Sequence, residues 1–153
     1  MDVKIASKAM AMRLEPILPL LVHHSQNAFI KGRSIFDAIR TIDDILEYAK
    51  RNNRSGILVA IDFEKAFDSL NQTLLVKVLQ KFNFGTYFLQ WIRTIYTNLS
   101  SCVLNNGFAT KFFRVNRGVT RGDPLVPLLF ILSLEILACY IRQDRQYPRL
   151  SNH

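Results

Sequence analysis

Eighteen consecutive residues, Pro124 to Ile141, carry a single charge, Glu135, and constrain this chain more than any other stretch. Such a segment either lies in lipid or is enclosed by the rest of the protein. It sits at the short end of the spanning range, and two prolines, Pro124 and Pro127, occupy what would be its first turn. A core helix of a folded domain is the better reading, and at 153 residues the chain is long enough to form one such domain.

The remaining pattern is mainly helical. Apolar spacing predicts a helix over residues 3–15, broken by Pro16 and Pro19, and residues 23–33 read as a loop or short extended segment. Ser34 is placed to cap a helix whose apolar stripe runs through Ile35, Ala38, Ile39, Ile42, Ile45, Leu46 and Ala49. The adjacent acids Asp43 and Asp44 project from its polar side. Behind Ser55-Gly56, the β-branched run Ile57-Leu58-Val59-Ala60-Ile61 reads as a buried strand ending in Asp62. Asn71 caps a helix with Leu74, Leu75, Val78, Leu79 and Phe82 on one face, and Gly85-Thr86 opens another with Phe88, Trp91, Ile92, Ile95 and Leu99 together. Asn105-Asn106-Gly107 marks a hairpin between 101–104 and 111–115, because asparagine and glycine tolerate positive φ. The order predicts an α+β fold, with helices on one face of a mostly antiparallel sheet.

A hydrophobic content of 49% argues against disorder, and a net charge of +8 with a pI near 9.8 points to an anionic partner. The basic residues are scattered rather than clustered beside an anchor, which fits nucleic acid better than a membrane surface. Cys102 and Cys139 give neither a disulfide framework nor zinc spacing, and read as buried thiols of a reducing compartment. The N-terminus lacks a continuous apolar core and cleavage site, so an intracellular chain without signal peptide or membrane span is expected.

A carboxylate at the C-terminal end of a strand is well placed for a hard divalent cation, since Mg²⁺ takes oxygen ligands and often uses only one or two protein carboxylates plus phosphates. Three blocks then fall in a telling order: Gln26-Asn27-Ala28-Phe29-Ile30-Lys31-Gly32-Arg33-Ser34, Asp62-Phe63-Glu64-Lys65-Ala66-Phe67, and Arg117 through Pro127. Together they resemble the reverse transcriptase (RNA-directed DNA polymerase) domain of non-LTR retrotransposons, across residues 3–142.

The resemblance implies a partial right-hand polymerase: helical fingers over residues 1–56, an incomplete antiparallel palm sheet with packed helices over 57–142, and a tail at 143–153 outside the family pattern. It implies that Lys31 and Arg33 meet the triphosphate, and that Asp62 is the catalytic carboxylate and a Mg²⁺ ligand. The Phe63 carbonyl would be a further metal ligand. Phe67 would lie under the nucleotide sugar and exclude a 2′-hydroxyl, while Lys65 and Asp68 would have structural roles. Arg121 and Gly122 would border the nucleotide. The implied partners are an RNA template, a DNA primer and deoxynucleoside triphosphates.

The chain departs from the family pattern in three places. Arg121 stands where a glutamine is usual, adding a permanent charge, and Val126 replaces a serine, removing a possible cap. The aromatic-Ala-Asp-Asp block expected downstream has no counterpart after Arg142, where Asp144 stands alone, and the thumb is absent too. One carboxylate cannot hold two cations about 3.5–4 Å apart. The resemblance therefore implies a fragment inactive by itself, with a non-catalytic nucleic-acid-binding remnant as the alternative. It also implies an open strand edge at Ile57–Asp62. Exposing a few hundred Å² of apolar surface forfeits on the order of 5–10 kcal/mol, comparable with the about 5–15 kcal/mol stability of a whole domain. A marginal, aggregation-prone chain is expected.

Overall fold

The computed structural model describes residues 3–96, 99–115, 118 and 122–144. Seven helices and two small antiparallel sheets succeed one another among these residues. Helix α1 (Val3–Leu14) buries Ser7, Met10, Ala11 and Leu14, a one-face spacing, and leads into the short α2 (Leu18–Leu21) with Pro19 in its first turn. Helix α3 (Ile35–Arg51) starts where Ser34 accepts the Phe36 N–H at 3.2 Å. The single-turn α4 (Ala66–Ser69) precedes α5 (Gln72–Lys81), which Asn71 caps by accepting the Leu74 N–H at 3.0 Å. Helix α6 (Thr86–Tyr96) begins after Gly85, and α7 (Val126–Gln143) has Pro127 in its first turn.

Between α6 and α7 the chain forms nested hairpins. β1 (Ser100–Ser101) pairs with β4 (Phe113–Arg114), and β2 (Leu104–Asn105) pairs with β3 (Phe108–Ala109). Asn106 and Gly107 turn the inner hairpin with φ of +47° and +83°, the two positive values that a tight two-residue turn requires.

The core is built on α5, which packs against α6 and α7; α4 also rests on α7. Leu75, Leu79, Ile92, Leu129 and Leu132 are fully enclosed there, joined by Leu14 and Leu18 from the first two helices. Helix α7 buries six residues between Val126 and Glu135, whereas Leu137, Tyr140 and Ile141 near its end are exposed. By length and composition α7 also meets the requirement for a membrane-crossing helix.

Three expectations change. Ile57 to Ile61 is not a buried strand: it has no ladder partner among the described residues, and Ile57 and Val59 are 92% and 71% exposed. A strand needs another to hydrogen-bond to, and the paired strands here are all between Ser100 and Arg114. Nor does α3 bury any residue. Its apolar stripe instead flanks the irregular segment, Ile42, Ile45 and Leu46 facing a shallow groove shared with Ile57 and Leu58. Cys102 and Cys139 are partly exposed rather than buried, and the Cys139 thiol donates to Glu135 at 3.3 Å because that buried carboxylate, paired with Arg142, lies one turn below it.

Candidate active site

Lys65 adopts a left-handed conformation (φ +50°) immediately before α4, and this sharp corner turns Ala66 and Phe67 toward the start of α7. There they meet Gly122, Asp123, Val126 and Pro127 across a cleft of about 280 Å³. The Phe67 ring lies edge-on to Phe130 of α7, centroids 5.3 Å apart, and Phe63 approaches the same ring at 6.2 Å. Two blocks 55 residues apart thus converge, and Phe130 fixes both aromatic side chains of the first against the helix of the second. Phe67 is partly buried against the core while it also lines the cleft.

The wall of the cleft is held by Asp123, a residue whose importance the sequence reading missed. Its carboxylate is buried, and Oδ2 accepts from Tyr96 Oη at 2.7 Å and from Ser7 Oγ at 3.0 Å. Oδ1 accepts the Leu125 N–H at 2.9 Å, which fixes the turn that leads into α7. Burial, and then the hydrogen bond to Asp123, push the Tyr96 hydroxyl well above its ordinary value of 10, so it remains a donor across the working pH range. One carboxylate thereby ties α1, α6 and the head of α7 together. A signal did exist, since an aspartate directly before a proline favours the start of a turn. Its two distant partners leave no trace in local spacing.

A second tie supports α4. The Gly118 N–H donates to Leu70 O at 2.9 Å, and Gln72 Nε2 donates to Gly118 O at 3.1 Å. Gly118 has φ +86°, and a Cβ there would lie 2.8 Å from the Asp68 carbonyl oxygen. Only glycine permits that approach.

The other expected site residues are placed differently. Lys31 is exposed on the loop before α3. Arg33 ties that loop to α2: Nη1 donates to the carbonyls of His23 and Gln26 at 2.7 Å each, and Nη2 to that of Pro19 at 3.0 Å. Arg33 is therefore at least a staple for the loop presenting Lys31. Asp62 is exposed and does not line the cleft. Arg121 lies outside the described residues.

Among the described residues no three acids, histidines or cysteines gather where a metal ion would sit. Asp123 has its oxygens committed to protein donors, and Asp62 stands apart.

The sequence profile described as "Reverse transcriptase (RNA-dependent DNA polymerase)" matches residues 1–148, and the chain belongs to that family. Its curated relatives narrow the assignment. It is 34% identical over 142 residues, 93% of its length, to the "Transposon TX1 uncharacterized 149 kDa protein" of Xenopus laevis. It is 28% identical over 112 residues, 73% of its length, to the "Retrovirus-related Pol polyprotein from type-2 retrotransposable element R2DM" of Drosophila melanogaster. A type-1 R2 Pol polyprotein of Popillia japonica is 23% identical over 140 residues, or 91% of this chain. Residues 1–148 are reverse transcriptase sequence of the non-LTR retrotransposon type. They span 11% of the first two relatives and 19% of the third.

Proposed function

We propose that this chain is the nucleotide-facing part of a retrotransposon RNA-directed DNA polymerase, with fingers in residues 1–56 and part of the palm in 57–142. The observation that supports the reading is the cleft where Phe67 and Gly122 meet, since a planar ring beside a side-chain-free corner suits the sugar of an incoming deoxynucleotide. Phe67, held by Phe130, would bar a 2′-hydroxyl by filling the space it needs. Lys31 would meet the triphosphate as a compact charge, on a loop that Arg33 holds in shape. Arg121 would border the nucleotide beside Gly122.

Reverse transcriptases generally use divalent metal ions. Asp62, with the Phe63 carbonyl, would supply part of a Mg²⁺ centre whose other carboxylates come from outside these residues. On this reading the isolated 153-residue chain does not synthesise DNA, although RNA template and DNA primer remain the partners of the whole polymerase.

The test is sugar discrimination in a polypeptide that carries these residues and a complete metal centre. Phe67→Val should admit ribonucleotides while leaving deoxynucleotide incorporation measurable. Discrimination equal to that of the parent would remove Phe67 from the role.

A further inference from the structure

The two walls of the cleft are braced in different ways. On one side Phe67 leans on Phe130 of α7, so its place is set by contact beside the cleft itself. The facing wall, made of Gly122, Asp123, Val126 and Pro127, is set from a distance. Gly122 has no side chain to lock it, and nothing lies within 4 Å of where a Cβ would stand. Its neighbour Asp123 does the holding. The Asp123 main-chain oxygen accepts the Val126 N–H at 3.2 Å and Oδ1 accepts the Leu125 N–H at 2.9 Å, which fixes the turn locally. Oδ2 fastens that turn to Ser7 of α1 and Tyr96 of α6, residues 0% and 1% exposed that line no part of the cleft.

Two hydroxyls shut away from water and donating to one carboxylate oxygen make a stiff attachment, because a hydrogen bond to an ion is stronger than a neutral one. Excluding a 2′-hydroxyl means refusing a single oxygen atom. Such refusal holds only where the facing groups are kept within about 0.5 Å of their places. Bulk at Phe67 is therefore not sufficient, and the opposite wall must also be fixed.

We propose that Ser7 and Tyr96 are positioning residues for sugar selection, acting through Asp123 to set the gap between Gly122 and Phe67. The inference rests on the reading of this cleft as the seat of the nucleotide sugar. Loss of either donor loosens the Gly122 corner and lets the larger sugar enter.

The experiment measures kcat/KM for a deoxynucleotide and for the matching ribonucleotide, in a polypeptide that carries these residues and a complete metal centre. The parent is compared with Ser7→Ala, Tyr96→Phe, Phe67→Val and Ile92→Val. Ile92 is fully enclosed on the same helix as Tyr96 and has no polar atom in its side chain, so Ile92→Val reports what destabilisation does alone. Unfolded enzyme loses both activities in proportion, and their ratio stays where it was. Ser7→Ala and Tyr96→Phe should each lower the deoxynucleotide-to-ribonucleotide ratio by roughly threefold or more, chiefly through a lower ribonucleotide KM. Ile92→Val should keep the parental ratio. A parental ratio in both Ser7→Ala and Tyr96→Phe, beside a reduced one in Phe67→Val, would overturn this inference and spare the reading of the cleft. A parental ratio in Phe67→Val would remove that reading and the inference with it. An equal fall in Ile92→Val would also overturn the inference, since general loosening of the fold would then suffice.

Discussion

Gly118 and Gly122 flank the segment that leads into α7, and both have positive φ, +86° and +78°. Replacing either by alanine incurs about 1–2 kcal/mol of left-handed backbone strain, offset by about 0.4–1 kcal/mol because the unfolded chain loses freedom. At Gly122 nothing lies within 4 Å of the new methyl, so the net cost should be about 1 kcal/mol or less. At Gly118 the methyl would stand 2.8 Å from Asp68 O and 3.0 Å from Asp68 Cα, both backbone atoms with no rotamer to escape into. Overpacking of that kind costs about 1–3 kcal/mol more. Gly118→Ala should thus destabilise by roughly 2–4 kcal/mol, a large fraction of a domain's stability. Because Asp68 belongs to α4, the strain falls on the turn that carries Phe67. Urea unfolding of both variants, followed by far-UV circular dichroism, measures the difference. Equal losses for the two would mean that Gly118 does not press against α4, and the account of how α4 is supported would be wrong.

Tyr96→Phe removes a buried hydrogen bond to a carboxylate and should cost about 1.5–3 kcal/mol by urea denaturation; a change under about 0.5 kcal/mol would show Asp123 indifferent to that partner. Burial, with the nearby charges of His24 and Arg142, holds His23 below its ordinary 6.5, so the unfolded chain takes up that proton first. Stability should consequently decline as pH falls through the window just below 6.5, and His23→Gln should flatten the decline; an unchanged slope would contradict the assignment. Val59→Lys should shift unfolding by less than about 0.5 kcal/mol, because the side chain is exposed, while reducing light scattering on concentration. A loss of several kcal/mol would instead place Val59 in a core.

The helices were legible because their ends are marked by residues that act locally. Ser34 and Asn71 cap where side-chain oxygen spacing says they should, and Asn106-Gly107 turns the hairpin because those residues bear positive φ. Ile57 to Ile61 defeated the same reasoning. A β-branched run records what a sheet would accept, and it forms no ladder when no partner strand is at hand. Amphipathic spacing likewise placed Leu74 and Trp91 on buried faces, yet they are 52% and 47% exposed because the neighbouring helices cover only part of each stripe. Of the candidate site, the meeting of Phe67 with Gly122 followed from the family pattern. The Asp123 hub did not, since its partners stand 116 and 27 residues away and only the packing of α1 and α6 brings them in. Arg33 shows the converse: its type and block suggested a phosphate ligand, and the fold engages it with the carbonyls of His23 and Gln26 in its own loop and of Pro19 in α2.

On the proposed function, these residues supply one carboxylate and a nucleotide cleft, and the metal centre is completed from elsewhere. Primer extension on an RNA template, with Mg²⁺, deoxynucleotides, the purified 153-residue chain and an Asp62→Asn control, tests it most directly. RNA should be bound and no primer extended by either protein. Extension by the parent chain that disappears with Asp62→Asn would contradict it, because a complete centre would then have to form from the residues of this chain alone.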